Sequence, residues 1–183
     1  MKKLALFDLD GTLFDTSEVN YNAYKKALNV FGYDLEHDYF VNNCNGRHYK
    51  EFLPIIVDDN EKIELIHKKK KEFYHLFLDE ARMNMNLFNL IKLMKQEYYL
   101  VVVTTASYEN SSDILKRFNV YDWFDDIVTP CDYKKTKPDS EPFLVAIDRF
   151  GVDVSDTIIF EDSDVGIESA EGTGATVFKI QKF

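Results

Sequence analysis

Asp8 and Asp10 stand two residues apart at the end of an apolar run, Leu4-Ala5-Leu6-Phe7, and Gly11 and Thr12 follow them. Two carboxylates held this close repel each other unless a cation lies with them, so the pair points to a hard divalent ion, a magnesium site. Three later segments carry complementary groups. Thr104-Thr105-Ala106-Ser107 sets hydroxyls where a helix is about to begin, and hydroxyls with free backbone N–H groups there make a seat for phosphate. Thr and Ser at such a place are also ordinary N-caps. Lys137 precedes Pro138, whose fixed backbone lets the ammonium be aimed; one more exposed lysine is the plainer alternative. Glu161-Asp162-Ser163-Asp164 ends another apolar run with the oxygen ligands a divalent ion takes, although Ser163 and Asp164 also suit a helix cap.

Elements of two kinds must position these groups. Leu4–Phe7 is a short, continuously apolar stretch, which suits a strand buried on both faces of a parallel sheet. Ligands of such sheets bind at the carboxyl ends of the strands, and alternation along the strand would turn Asp8 and Asp10 to one face. Residues 17–31 follow helical spacing through Tyr24, Ala27, Leu28 and Phe31, with Asp15, Thr16 and Ser17 offering N-cap oxygens and Gly32 a stop. Short helical pieces around a turn at Asn43, Asn45 and Gly46 come next, then a helix over about 61–79 with a seam of Ile63, Ile66, Phe73 and Phe77. A helix through Leu87, Leu90, Ile91 and Met94 opens a regular alternation. Strands are expected at 98–104, 127–129, 157–160 and 175–180, and helices at 110–118, 140–150 and 164–171. Alternating strands and helices predict an α/β fold, a Rossmann-like three-layer parallel sheet. The helix-only block interrupts it just after the carboxylate loop, where an all-helical lid would be inserted.

Composition narrows the function classes. The 183 residues are 45% apolar, enough for a real core, and the net charge of −10 disfavours a nucleic acid polymer or an acidic membrane surface as partner. Cys44 and Cys131 give neither metal-ligand spacing nor a disulfide framework, so a reducing cytoplasm is the expected setting. The apolar run after Met1-Lys2-Lys3 ends too soon for a signal peptide, and no stretch reaches transmembrane length.

Taken together, the four segments resemble the haloacid dehalogenase superfamily of phosphatases, in the branch with a helical cap inserted after the first motif. That branch includes phosphoglycolate phosphatases and beta-phosphoglucomutases. Asp8-Leu9-Asp10-Gly11-Thr12-Leu13-Phe14-Asp15 is similar to the first motif, Thr105 to the second, Lys137 in Lys-Pro-Asp to the third, and Glu161 through Ala170 to the fourth. The resemblance implies a core of residues 1–16 and 86–183 and a cap of residues 17–85, with Phe14–Ser17 as a hinge.

It also implies roles. Asp8 becomes the nucleophile that forms an aspartyl-phosphate, and Asp10 the general acid and base. Mg²⁺ is taken by the Asp8 carboxylate, the Asp10 carbonyl and Asp162, while Glu161 orients Lys137 or a metal-bound water. Thr105, Lys137 and N–H groups near Ala106 hold the phosphoryl oxygens; Ala106 replaces an asparagine common in relatives. The substrate is then a small phosphorylated metabolite. Arg47, in the cap turn Asn45-Gly46-Arg47-His48, and Lys70, within Lys68–Lys71, are candidates for its specificity, although an exposed arginine on a turn is common and most of the lysines should be solvated. A phosphomutase is the alternative, weakened by Tyr108 and Glu109 where mutases carry a lysine, and a non-catalytic binding module is a more distant one. The chain ends soon after its last expected strand, where many relatives add a helix and a strand. The sheet edge should therefore be barer, with a monomer or weak homodimer as the expected form.

Overall fold

The computed structural model describes residues 2–181 and 183; Met1 and Lys182, which the sequence assigns to the core, lie outside the described residues. The chain divides into two compact units, residues 1–15 with 82–183 and residues 16–81.

The first unit is built on β1 (Lys3–Phe7), whose Leu4, Ala5, Leu6 and Phe7 are fully buried. It runs parallel between β4 (Tyr98–Val103) and β6 (Thr157–Glu161), and β5 (Asp126–Val128) and β7 (Thr176–Lys179) close the order β5-β4-β1-β6-β7. A central strand flanked on both edges and covered on both faces leaves no water-facing position, which explains the unbroken apolar run. Phe7 pairs with Val102 on one side and Phe160 on the other. That register brings Asp8, Val103 and Glu161 abreast at the carboxyl ends of three strands. Phe7, Phe160 and Phe178 stack in a ladder one residue below, with centroids 4.9 and 5.2 Å apart, and so fix the spacing of the strand ends.

Helices α5 (Met85–Met94), α6 (Tyr108–Arg117), α7 (Glu141–Phe150) and α8 (Asp164–Glu171) alternate with these strands. In α5 the buried set is Leu87, Phe88, Ile91 and Met94, and Leu90, expected inside, is exposed. Phe88 fills the inward place, packing against Phe14 and Trp123. Two strands too short to show in a periodicity, β2 (Phe14–Asp15) and β3 (Arg82–Met83), pair antiparallel and are tied by an Arg82–Asp15 ion pair. They join the two places where the chain leaves and re-enters this unit.

The second unit is all-helical: α1 (Ser17–Val30), α2 (His37–Asn43), α3 (Tyr49–Ile56), α4 (Asn60–Tyr74) and a 3₁₀ turn, His75–Glu80. Its own core holds Tyr24, Leu28, Phe40, Phe52, Leu53 and Ile66. Thr16 stands at the N-cap of α1 but makes no side-chain cap bond; its hydroxyl accepts from Asn20 Nδ2 instead. The long helix expected to reach residue 79 tightens at His75. Each 3₁₀ step turns about 120° rather than 100°, which carries Phe77 off the seam, and Leu78 is buried in its place.

His67 on α4 stacks on Tyr49 with centroids 3.7 Å apart, and its Nδ1 lies 3.2 Å from the Tyr24 hydroxyl. Burial, followed by the charges of Lys71 and Lys70, pushes its pKa down to about 3. The unfolded chain therefore takes up this proton first as pH falls below about 6.5, so stability is lost from there downward. His67→Phe, which keeps the stack, is expected to flatten the melting temperature between pH 6.5 and 5. After discounting for partial exposure, the wild type should lose about 1 kcal/mol more than the variant over that window. Parallel slopes in thermal melts would refute the assignment.

Candidate active site

The loop after β1 folds back on itself. Leu13 and Phe14 N–H groups both donate to Leu9 O, and Gly11 N–H donates to Phe14 O at 2.7 Å. Gly11 adopts φ +95°, and a Cβ there would lie 2.2 Å from Asp162 Oδ2, so only glycine fits both the turn and the close approach. Because β1 ends at Phe7, the strand alternation expected to turn Asp8 and Asp10 to one face does not reach them. Asp8 sits at the strand end, its N–H on Phe160 O, whereas Asp10 lies half-buried in the loop and is bridged through its backbone to Phe14. Asn84 pins this loop: its Nδ2 donates to Thr12 O, its N–H donates to Leu13 O, and its Oδ1 caps α5 at Leu87 N.

Lys137 enters from the segment before α7, just ahead of a cis Pro138. Its ammonium donates to Asp8 Oδ1 at 2.7 Å, Glu161 Oε2 at 2.6 Å and Val103 O at 3.4 Å, which engages all three protons. Its side chain is 6% exposed and that of Glu161 1%, so this is a buried ion pair rather than a surface contact. The ammonium also lies 4.9 Å from the Phe143 ring centroid. Glu161 Oε1 accepts from Asp162 N, Ser163 N and Ser163 Oγ, so both of its oxygens serve protein donors.

Asp162 accepts from Thr12 Oγ1 at 3.1 Å. Among the described residues, Asp8, Glu161 and Asp162 form a group able to hold a metal ion, each offering an oxygen within 4.8 Å of the others. Three carboxylates beside one lysine leave excess negative charge. Burial, and next the Glu161 charge, raises the Asp8 carboxyl well above its usual range, with Lys137 pulling the other way. The same two causes push Asp162 up to about 6. Burial opposes the charge on Lys137, but Asp8 and Glu161 outweigh it and the ammonium is held protonated. A cation at the oxygens of Asp8 and Asp162 would relieve that repulsion, and the hard oxygen donors fit a magnesium-like ion.

The residues after β4 are arranged less simply than expected. Thr104 is buried and its Oγ1 accepts from Ala106 N at 3.1 Å; Thr105 is exposed; Ser107 caps α6 by accepting from Asn110 N. The Ala106 N–H expected to be free is therefore engaged. In the second unit Arg47 is exposed on the turn at Gly46, and Lys70 places its ammonium over the Tyr24 and Tyr74 rings at 5.1 and 4.8 Å. His48, for which the sequence offers no partner, caps α3 through its ring.

Thr12, Asn84 and Gly166 support the site without having been singled out from sequence. Gly166 opens α8 directly behind Glu161, where an added Cβ would lie 2.0 Å from the carboxyl carbon. Alanine is the better helix former by about 1 kcal/mol, but displacing Glu161 breaks charge-assisted hydrogen bonds worth roughly 1.5–3 kcal/mol each. Gly166→Ala should therefore lower the melting temperature and cut turnover about tenfold or more; a stabilised, fully active variant would refute that balance.

Comparison with known proteins places the chain. The family model described as haloacid dehalogenase-like hydrolase matches residues 5–180. The chain is 27% identical over 178 residues to a phosphorylated carbohydrates phosphatase of Thermotoga maritima, covering 92% of this chain and 80% of that one. It is 30% identical over 181 residues to the pyrophosphatase PpaX of Bacillus velezensis, covering 92% and 78%. The crystal structure of CbbY from Rhodobacter sphaeroides in complex with phosphate superimposes with a TM-score of 0.85 at 23% identity, over 100% of this chain and 88% of that one, a likeness of fold.

Proposed function

We propose that this chain, which belongs to the haloacid dehalogenase-like hydrolases, is a Mg²⁺-dependent phosphatase of small phosphomonoesters that works through an aspartyl-phosphate on Asp8. The observation that carries the reading is the buried contact of Lys137 with Asp8 and Glu161, at 2.7 and 2.6 Å, beside Asp162. A carboxylate attacks a phosphate only where the repulsion between them is offset, and a fixed ammonium does so without reorganisation. Mg²⁺, held by Asp8, Asp162 and the Asp10 carbonyl, would supply the remaining positive charge.

Asp8 attacks phosphorus in line while Asp10 protonates the departing oxygen. Asp10 then removes a proton from the water that hydrolyses the acyl phosphate. Lys137 exchanges its long 3.4 Å contact with Val103 O for a phosphoryl oxygen, and Thr105 donates its hydroxyl to another. A third competes with Thr104 Oγ1 for the Ala106 N–H. Glu161 keeps Lys137 aimed.

The helical unit, which begins at Thr16 and ends at Ala81, is read as the cap, with Phe14–Ser17 as one of its hinges. Arg47 is its candidate for a second anionic group of the substrate. Lys70, whose ammonium lies over two aromatic rings, is the weaker candidate. A sugar phosphate is the favoured substrate class, in line with the name of the Thermotoga relative.

The test is phosphate release from a panel of phosphomonoesters with Mg²⁺ and with EDTA. Turnover on at least one sugar phosphate, lost in EDTA and restored by Mg²⁺, is expected. No release across the panel from a folded, Mg²⁺-loaded protein would overturn the reading, and isomerisation of a sugar phosphate without release would select the mutase instead.

A further inference from the structure

Two successive carbonyls at the carboxyl end of β4 are bound from a single segment. Lys137 Nζ reaches Val103 O at 3.4 Å, and the buried Tyr133 hydroxyl donates to Thr104 O at 3.0 Å. On its other side Thr104 donates its N–H to Val128 O at 3.0 Å, and its Oγ1 accepts from Ala106 N. Thr104 is thus held at its amide, its carbonyl and its hydroxyl, and the hydroxyl sets the turn that leads to Thr105 and Ala106.

Tyr133 is itself firmly anchored. Just before it, Asp132 accepts from Thr129 N and from Arg149 Nη2, both at 2.8 Å. Just after it, the Lys134 and Lys135 N–H groups donate to the two oxygens of Glu141 at 2.9 and 3.1 Å. The ring packs in the core with Val103, Val128 and Phe143. Among the described residues the phenol has one partner, a backbone carbonyl that would otherwise be buried unpaired.

We infer that Tyr133 is a positioning residue for phosphoryl binding: its hydroxyl fixes the Thr104 carbonyl and so holds the Thr105–Ala106 turn where a phosphoryl oxygen is received. Tyr133 touches no reacting atom. It acts through the backbone of Thr104, and the inference rests on the Thr105–Ala106 turn being the phosphoryl seat. Burial pushes the phenol up to about 12, so the hydroxyl remains a donor throughout the working pH range.

Tyr133→Phe removes the hydroxyl and keeps the ring. The probe is inorganic phosphate, titrated calorimetrically into the Mg²⁺-loaded 183-residue chain. The comparison variant is Ile147→Val, which trims the same core from α7 without touching Thr104. The expected result is a five- to tenfold weaker phosphate affinity for Tyr133→Phe, the scale of one lost hydrogen bond. The same factor should appear in kcat/KM, mostly through KM. Ile147→Val should melt lower yet bind phosphate as the wild type does.

Wild-type phosphate affinity in Tyr133→Phe would overturn the inference. Equal weakening in both variants would also overturn it, because general loosening of the core would then explain the loss. A wild type that binds no phosphate overturns it as well. A wild type that binds phosphate but turns over no phosphomonoester defeats the phosphatase reading alone.

Discussion

Asp8→Asn will leave a folded protein that releases essentially no phosphate, with kcat lower by roughly 10⁴-fold or more, the scale seen when a covalent nucleophile is removed. The amide is nearly isosteric with the carboxylate but cannot form the acyl phosphate. The fold should tolerate it well. In the wild type, burial and the neighbouring Glu161 charge both disfavour the Asp8 carboxylate, and Lys137 opposes them. The variant has no charge to bury at this position, and Lys137 keeps its 2.6 Å contact with Glu161. The melting temperature should stay within a few degrees of the wild type while activity disappears. Release assays beside thermal melts separate these outcomes, and turnover near the wild-type rate would remove Asp8 from its role.

The ends of the strands were the most legible part of the site. Leu4–Phe7, Tyr98–Val103 and Thr157–Phe160 are short, almost wholly apolar runs, and in a parallel sheet their polar successors must meet at one edge. The register that sets Phe7 beside Val102 and Phe160 then makes neighbours of Asp8, Val103 and Glu161. Side-chain alternation, by contrast, was the wrong tool for Asp10, because β1 ends at Phe7 and Asp10 already lies in the loop that turns at Gly11, φ +95°.

What remained hidden in the sequence depends on contacts between distant segments. Nothing near Tyr133 indicates that its hydroxyl lies 3.0 Å from a carbonyl 29 residues earlier. Gly166 reads as part of a helix start until the carboxylate of Glu161 is found against its Cα. The pairing of Phe14–Asp15 with Arg82–Met83 spans only two residues on each side, too few for a period of two to register. Thr12 was the missed group with a usable signal. A hydroxyl next to a glycine in a carboxylate loop needs an acceptor once buried, and its partner is Asp162 Oδ1.

Lys137→Met separates the two jobs of that lysine, binding phosphoryl oxygen and countering the buried carboxylates. Methionine keeps an unbranched apolar stem beside Phe143 and removes the charge. Losing a preorganised donor to the phosphoryl group costs about 10²–10³ in kcat. Disorder of Asp8, which loses its 2.7 Å partner, adds to this, so a drop of roughly 10³ or more is expected. Unlike Asp8→Asn, this variant should also be unstable. Asp8 and Glu161 would be buried without their common counter-charge, and removing one member of a buried ion pair costs roughly 3–5 kcal/mol. The direction with pH follows. Without Lys137 the Asp8 and Asp162 carboxyls, which its charge pulls down, are raised further in the folded state, so the folded protein binds protons more readily than the unfolded chain. Its stability is then greatest at low pH and falls as pH rises through the folded values. The deficit against the wild type should therefore be widest at pH 8 and shrink toward pH 5, and Mg²⁺ at the carboxylates should recover part of the melting temperature at pH 8. A deficit that is constant with pH and indifferent to Mg²⁺ would mean that Lys137 stabilises the protein through packing alone, and the charge-balance account of the site would fail with it.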